Sequence, residues 1–362
     1  MKNRIVLMSV VCVLLVGMLL AACAPAPAPS PAPAPAPAPA PKPQPIKLIF
    51  GSQNPEQGWE VSQASKPWMK KVEAATKGQV TFEGYFAQSL FKGTDAWEAI
   101  KQGQTDIGFC AMSFFPGIAS LSEVMNLPFL PLPSAEVGGD VIWRLYEKYP
   151  ALAKQYADVK VLNFIILYPF FLQTKDKQVK TLDDIRGLKL RALGGPQTDS
   201  AKALGASPVF LGINDVYPNL EKGVVDGAFL PWEALMSFKI YEVVKYYTYM
   251  PFNANLFIIA ANNKKWNSLP PDVQKAIMSV SGREGSAWWS KIMGDGSYAE
   301  GRKLVQSKGT PMIEYTLPPD ELAKWTKIGG EPIWEKWVKD NEAKGLTDAR
   351  AILNDALSML KK

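Results

Sequence analysis

The sequence predicts an α/β fold with a mostly parallel sheet, because short β-rich runs alternate with amphipathic stretches along most of the chain. The amphipathic stretches, residues 59–76, 94–101, 138–156 and 198–204, are predicted to be helices. A folded part that begins near Ile46 has room for two lobes that each bury a core. The predicted strands are residues 46–51, 79–85, 105–110, 159–167, 189–192, 208–210, 227–230 and 256–261.

Two similar segments indicate that the lobes are related. Residues 100–109 and 220–229 each place the end of a helix, a glycine and then an aspartate (Asp106 or Asp226) directly before a short apolar strand. The glycine stands where a helix C-cap needs a positive φ. Such connections also arise by chance in α/β proteins, and we favour two related lobes because the copies lie about 120 residues apart.

The C-terminal third is predicted to be helical. Pro270, Pro271 and Asp272 form a start signal, since proline suits the first turn and a carboxylate favours the positive end of the helix dipole. The pattern continues without proline to about Gln306, long enough to cross both lobes, although several glycines weaken or kink it. Three tryptophans of residues 318–362 are predicted to pack rather than bind ligand: Trp325, Trp334 and Trp337.

The N-terminus reads as a secretory signal over residues 1–22. Lys2 and Arg4 precede an apolar run, and small residues stand directly before Cys23, as in a bacterial lipobox whose cysteine becomes lipidated. The alternative is an uncleaved membrane anchor, because the run approaches the length needed to span. Residues 23–45 then comprise Cys23 and an Ala/Pro tract, predicted to be a polyproline II spacer. Both alternatives place the folded part outside the cytoplasmic membrane.

Composition excludes several functions. The 362 residues contain no histidine, which removes Ser-His-Asp and Cys-His catalysis and the commonest metal ligand, so we predict no metal and no cofactor. The formal charge of +6 falls to +4 without Lys2 and Arg4, and no basic run predicts nucleic-acid binding. An S-x-x-K match at residues 89–92 lacks its companion motifs. Cys110 lies in an apolar run and is predicted to be buried.

Nine segments of the chain match segments of a known protein family, and they follow one another in the same order as in that family. They are WMKKVEAATKG at 68–78, AQSL at 87–90, EAIKQGQTDIG at 98–108, LPF at 127–129, TLDDIRGLKLR at 181–191, LGASPV at 204–209, DVY at 215–217, GVVDG at 223–227 and NKKWNSLP at 263–270. Over residues 46 to about 317 the chain therefore resembles the DctP-like solute receptors of TRAP (tripartite ATP-independent periplasmic) transporters.

The resemblance implies a two-lobed, type II-like periplasmic binding protein with a ligand cleft between the lobes and a long helix spanning both. Residues 46–165 and 256–317 would form lobe 1, residues 166–255 lobe 2, and residues 318–362 a C-terminal helical region. We expect this receptor to be a monomer and not an enzyme. It binds a small organic acid outside the cytoplasm and delivers it to a membrane permease.

The resemblance also implies which side chain binds the carboxylate of the ligand. Arg191 matches the family arginine that binds the ligand carboxylate, and a guanidinium can hold a carboxylate through two parallel hydrogen bonds. The alternative is a surface arginine paired with Asp183 or Asp184.

Three departures from the family pattern narrow the ligand. Phe171 stands where many members carry a second arginine, Leu230 replaces an asparagine, and Ile213 replaces a phenylalanine. Leaving a second carboxylate or a hydroxyl unpaired there would cost about 1–3 kcal/mol each. We therefore predict a monocarboxylate with an apolar or aromatic body.

The predicted contacts extend beyond these positions. Phe170, Phe171, Leu230 and Trp232 are predicted to pack against the body of the ligand, although Trp232 could instead pack between the lobes. Side chains that could supply further hydrogen bonds to the ligand are Gln53, Trp59, Gln88 and Asn255.

Two other functions stay open at this point. A lipid-anchored enzyme could use Asp106 and Asp226, but aspartates in helix-to-strand turns commonly bond the local backbone. No nucleophile–base pair can be assembled without histidine. A receptor that reports to a sensor kinase would have the same fold and site.

Overall fold

Nine strands build one mixed sheet in the computed structural model, which describes residues 45–361. The predicted signal, the lipobox Cys23 and most of the Ala/Pro spacer lie outside the described residues. Strands β1 to β9 are Ile46–Gly51, Val80–Tyr85, Ile107–Ala111, Val159–Thr174, Lys189–Arg191, Ser207–Val209, Gly227–Leu230, Tyr246–Asn262 and Ile313–Thr316.

Fifteen α-helices surround this sheet within the described part of the chain. Helices α1 to α15 are Lys66–Ala75, Ala96–Gln102, Ala135–Lys148, Pro150–Lys154, Leu182–Ile185, Pro196–Ala203, Ile213–Glu221, Trp232–Ser237, Asn263–Ser268, Pro271–Met278, Gly282–Ser290, Ser297–Ser307, Pro319–Gly329, Glu331–Glu342 and Ala349–Leu360. A π-helical turn, Glu60–Ser65, precedes α1, and a second π-helical turn, Lys291–Gly296, joins α11 to α12. None of the helices among residues 45–361 is both long enough and apolar enough to cross a membrane.

Two long strands, β4 and β8, pair with each other at the centre of the sheet. The strand order is β2-β1-β3-β8-β4-β7-β5-β6, with β9 added to β8. The outer pairings are parallel, whereas β3–β8, β8–β4 and β4–β7 are antiparallel. The prediction of a mostly parallel sheet is therefore wrong at the centre. The sequence predicted only part of each long strand: nine of the 16 residues of β4 and six of the 17 residues of β8.

The two lobes share these long strands. β1, β2 and β3 attach to one end of the β4–β8 pair, and β5, β6 and β7 attach to the other. The two predicted lobe boundaries, between residues 165 and 166 and between residues 255 and 256, lie side by side in the sheet. Across the β4–β8 pair, Ile165 pairs with Phe257 and Ile166 with Leu256. The pairing of β4 with β8 becomes irregular directly after Leu167. The division of residues between the lobes stays a prediction.

A long helix crosses both lobes, as predicted, but it starts later. α10 ends at Met278, and Gly282 adopts a φ of +66°, which separates α10 from α11. From α11 through the π-helical turn to α12 the helix is continuous, with segments of nine, six and eleven residues. At 1.5 Å per residue its length is about 39 Å. Its first half packs on β4 and its second half on α8.

The two similar segments have the same structural role. Gly103 and Gly223 have φ angles of +78° and +71° at the ends of α2 and α7. The backbone N–H of Ile49 donates to Asp106 at 2.8 Å, and that of Lys189 donates to Asp226 at 2.7 Å. Each aspartate therefore fixes the neighbouring parallel strand of its own lobe. Each carboxylate is engaged by a backbone N–H of the neighbouring strand, which opposes the use of the two aspartates as a catalytic pair.

Candidate ligand cavity

A small cavity lies where chain segments from both lobes meet. Its free volume is about 30 Å³, comparable to the share of one water molecule in the liquid. A larger molecule can therefore enter only when the walls move apart. The cavity is lined by Gln53, Asn54, Phe109, Ala111, Phe114, Leu167, Phe170, Arg191, Leu193, Ile213, Leu230, Pro231, Glu233, Ala234, Phe238 and Phe257.

Arg191 is the one cation in this lining. It ends β5 and is 2 % exposed. Within residues 45–361 its guanidinium makes a single hydrogen bond, from Nε to the carbonyl oxygen of Leu211 at 3.2 Å. No carboxylate of the described chain lies within 4.0 Å of it. Burial lowers the pKa of Arg191 to about 9, which reflects how unfavourable a buried charge without a counterion is.

The alternative partners of Arg191 are engaged elsewhere. Asp183 pairs with the exposed Arg186 at 3.4 Å, and Asp184 pairs with Lys177 at 3.3 Å. The interpretation of Arg191 as a surface arginine is therefore wrong, because β5 turns its side chain into the protein.

The apolar walls of the cavity are mostly aromatic. Phe109 of β3 and Phe257 of β8 stack with their ring centroids 5.1 Å apart. Phe114 closes another side and makes an edge contact at 5.9 Å with Phe210 from the loop after β6. Such rings bury an apolar or aromatic body well and leave a second charge without a partner.

Five of the predicted contact residues reach this cavity. Arg191, Ile213 and Leu230 come from the lobe that contains β5 to β7, Gln53 comes from the loop after β1, and Phe170 comes from the central strand β4.

Phe171 and Trp232 lie elsewhere. Phe171 follows Phe170 in β4, and successive side chains of a strand point to opposite faces. Its ring stacks on Tyr249 at 4.9 Å and packs against Trp232 at 5.4 Å. Trp232 also stacks on Tyr247, and Gly301 of α12 approaches its side chain. Both residues belong to the core between the sheet and the long helix, so the structure does not bring them to the Arg191 cavity.

The remaining predicted contacts also lie outside the cavity lining. The indole N–H of Trp59 donates to the carbonyl oxygen of Ile292 at 2.9 Å, in the π-helical turn of the long helix. Asn255 is buried in β8 and accepts a hydrogen bond from Ser113. Gln88 is half-buried in a turn after β2, with a φ of +60°.

Sequence reasoning missed two polar residues of the cavity, Asn54 and Glu233. Glu233 is the ionisable residue of the two. It is 4 % exposed, and Ser237 Oγ donates to its Oε1 at 2.8 Å. Burial raises its pKa to about 7. The segment Pro231-Trp232-Glu233 did stand out in the sequence, but the turn of α8 buries Trp232 in the core and brings Glu233 to the cavity.

Glu60, a second buried carboxyl, is a neighbour of Glu233. Its carboxylate accepts hydrogen bonds from Ser52 Oγ at 2.8 Å and from Ser65 Oγ. Burial raises its pKa to about 7 as well, and its charge contributes to the raised pKa of Glu233. Glu60 does not line the cavity.

A larger cavity, of about 440 Å³, lies beside Phe171, Tyr249 and Tyr298. Its one charged lining residue is Asp295, which accepts the backbone N–H groups of Ala135 and Glu136 at 2.9 and 3.0 Å. No cation lines this space to hold an organic acid. The smaller cavity that contains Arg191 is therefore the better candidate for the ligand site.

A two-lobed sheet with an arginine buried in an inter-lobe cavity defines a periplasmic solute-binding protein. The family model described as bacterial extracellular solute-binding protein, family 7 (DctP), matches residues 50–340. The chain belongs to this family. The predicted relationship to TRAP solute receptors is thereby confirmed, and both the family and its structural neighbours are transport proteins rather than enzymes.

Solved structures agree with this assignment. A TRAP solute-binding protein from Rhodoferax ferrireducens, solved with copurified benzoate, matches with a TM-score of 0.82 and 28 % identity over 87 % of this chain and 98 % of its own. A marine-metagenome protein with 3-hydroxybenzoate gives 0.82 and 28 % over 88 % and 98 %. A Bordetella bronchiseptica protein with bound mandelate gives 0.80 and 27 % over 88 % and 99 %.

More distant relatives are found by sequence. The outer membrane transporter protein TsaT of Comamonas testosteroni is 24 % identical over 79 % of this chain and 84 % of its own length. The 2,3-diketo-L-gulonate-binding periplasmic protein YiaO of Escherichia coli is 22 % identical over 80 % and 88 %. The chain is thus a TRAP solute-binding receptor for small organic acids, and TRAP receptors act outside the cytoplasm with a membrane permease as partner.

Proposed function

We propose that this receptor binds a monocarboxylate with an apolar or aromatic body and that Arg191 holds its carboxylate. The observation that carries the proposal is a buried guanidinium with no carboxylate partner in the described chain, in a cavity with phenylalanine walls. A buried cation is unfavourable unless it is paired. A ligand carboxylate would provide that pairing and form charge-assisted hydrogen bonds with the guanidinium.

The cavity offers one carboxylate a partner, but not two. Arg191 is its only cationic lining residue, and Glu233 would repel a second anion. An unpaired carboxylate or hydroxyl against the phenylalanine walls would cost about 1–3 kcal/mol. Dicarboxylates and polyhydroxy acids therefore fit less well than an aromatic acid. The benzoate, 3-hydroxybenzoate and mandelate complexes of structures at 27–28 % identity support this choice.

Binding requires motion of the walls. The cavity is too small for a benzoate-sized molecule, so the lobes would open to admit the ligand and close on it. The closed receptor would then deliver the acid to its permease. We further propose that the receptor is a monomer anchored through lipidated Cys23, with the Ala/Pro tract holding the lobes away from the membrane.

Titration calorimetry of the purified folded part against benzoate, succinate and glucuronate tests the proposal. We expect benzoate to bind and the other two acids to bind weakly or not at all. Arg191→Ala should weaken benzoate by about 2–5 kcal/mol if the ion pair is desolvated. Arg186→Ala removes an exposed arginine and serves as the matched control. Tight binding of succinate or glucuronate with no binding of any aromatic acid would refute the proposal.

A further inference from the structure

The carboxyl of Glu233 is buried in the same cavity as Arg191, yet the two groups are not an ion pair. No lysine or arginine nitrogen of residues 45–361 lies within 4.0 Å of the Glu233 carboxylate. The cavity therefore has an anion-binding group, Arg191, and a separate hydrogen-bond acceptor, Glu233. Phenylalanine rings form much of the remaining wall. This combination of groups suits a ligand with a carboxylate on one side and a hydrogen-bond donor on another.

The protein satisfies Glu233 only in part. Ser237 Oγ donates to Oε1, and a backbone hydrogen bond from Glu60 also reaches the carboxylate. A carboxylate has roughly four acceptor sites, so capacity remains. Glu60 also accepts two hydrogen bonds, from the hydroxyls of Ser52 and Ser65, but it lies outside the cavity lining and cannot meet the ligand.

The position of Glu233 is fixed from both lobes. Ser237, one turn later in α8, donates to Glu233 and accepts the backbone N–H of Trp59 at 2.9 Å. Trp59 belongs to the segment that follows β1 in the other lobe. When the lobes close, these linked hydrogen bonds would hold the carboxylate at the cavity wall, where it can accept a hydrogen bond from the enclosed ligand.

We infer that Glu233 is a specificity-determining residue that accepts a hydrogen bond from a hydroxyl on the ligand, so that the receptor selects a hydroxylated aromatic monocarboxylate. The inference rests on the proposed function. Arg191 binds the ligand carboxylate, and repulsion between Glu233 and that carboxylate fixes the orientation of the ring. An acid without a donor would leave the remaining acceptor capacity of the buried Glu233 carboxylate unused, whereas a hydroxyl on the ligand would use it.

The test is a calorimetric comparison of benzoate, the three monohydroxybenzoates and the corresponding methoxybenzoates at about pH 8. At that pH a carboxyl with a pKa of about 7 is mostly ionised, whereas a phenol with a pKa of about 10 keeps its proton. A hydrogen bond to a charged acceptor predicts that the best hydroxybenzoate binds roughly 10–100-fold more tightly than benzoate. Its methoxy counterpart cannot donate and should lose this advantage.

Variants assign the effect to one side chain. Glu233→Gln should reduce the hydroxybenzoate-to-benzoate affinity ratio at least about fivefold while benzoate still binds, which also shows that the variant is folded. Glu123→Gln is the control, because its partly buried carboxyl accepts the Gly117 N–H at 3.0 Å and lies outside this cavity. It should leave the ratio unchanged.

The outcomes separate the two proposals. Equal affinities for benzoate and every hydroxybenzoate, or an unchanged ratio in Glu233→Gln, would overturn the role of Glu233 and leave the receptor for aromatic acids standing. Failure of all aromatic acids to bind, with binding of a dicarboxylate or uronate, would overturn the proposed function itself.

Discussion

Replacing Glu60 by glutamine should flatten the pH dependence of stability. Glu60 is fully buried, and desolvation raises the pKa of its carboxyl from 4.5 to about 7 despite hydrogen bonds from Ser52 and Ser65. The folded protein therefore holds this proton more tightly than the unfolded chain does. Its stabilising effect is fully present below pH 4.5 and is lost as the pH rises towards 7.

The size of the effect follows from the pKa difference. One pKa unit corresponds to about 1.4 kcal/mol, so Glu60 alone accounts for a loss of roughly 3 kcal/mol in unfolding free energy between about pH 4.5 and pH 7. Its neighbour Glu233, whose pKa is raised in the same direction, adds to the loss. Above about pH 7 the contribution of both groups becomes constant.

Urea unfolding followed by circular dichroism at several pH values measures this loss. Glu60→Gln cannot titrate, so its unfolding free energy should fall less than that of the wild type between about pH 4.5 and pH 7. Glu98→Gln, which removes an exposed carboxylate bonded to Gln102, should behave like the wild type. Identical pH profiles for wild type and Glu60→Gln would show that burial of Glu60 does not set the slope.

Three further predictions separate packing from binding and anchoring. Phe171→Leu should lower the melting temperature but change the affinity for an aromatic acid less than about threefold. Phe170→Leu should weaken binding of the same acid more, because Phe170 lines the cavity. If calorimetry gave the reverse order, Phe171 would belong to the site. Gly301→Ala should destabilise by about 1–3 kcal/mol, because a Cβ there would lie 2.6 Å from Trp232 Cβ, and an unchanged midpoint in urea would contradict this close packing. Cys23→Ser should move the receptor from the membrane fraction to the soluble fraction after cell fractionation, and retention would favour an uncleaved anchor.

Several features were predictable because they depend on local sequence. Alternation of β-rich and amphipathic stretches identified the α/β class, and the repeated helix–Gly–Asp–strand pattern predicted two turns whose aspartates have the same backbone role. Arg191 could be predicted as the carboxylate-binding residue because a family signature surrounds it, and that role stays a prediction. The burial of Arg191 in a cavity without a carboxylate partner then came from the structure.

Other features depend on contacts between distant segments. Which of Phe170 and Phe171 faces the cavity is set by the register of β4, where a shift of one residue exchanges the two faces. The turn of α8 decides in the same way that Glu233, and not Trp232, lines the cavity.

The sequence by itself determined the class of fold and the family, and it indicated Arg191 as the candidate ligand residue, because periodicity and ordered motifs are properties of a linear chain. Only the tertiary structure decided the antiparallel centre of the sheet, the small size of the cavity and the buried carboxyl of Glu233. Those depend on side chains brought together from residues that are more than 100 positions apart, such as Gln53 and Glu233. Burial and electrostatics act on spatial neighbours, and sequence spacing does not specify which residues become neighbours.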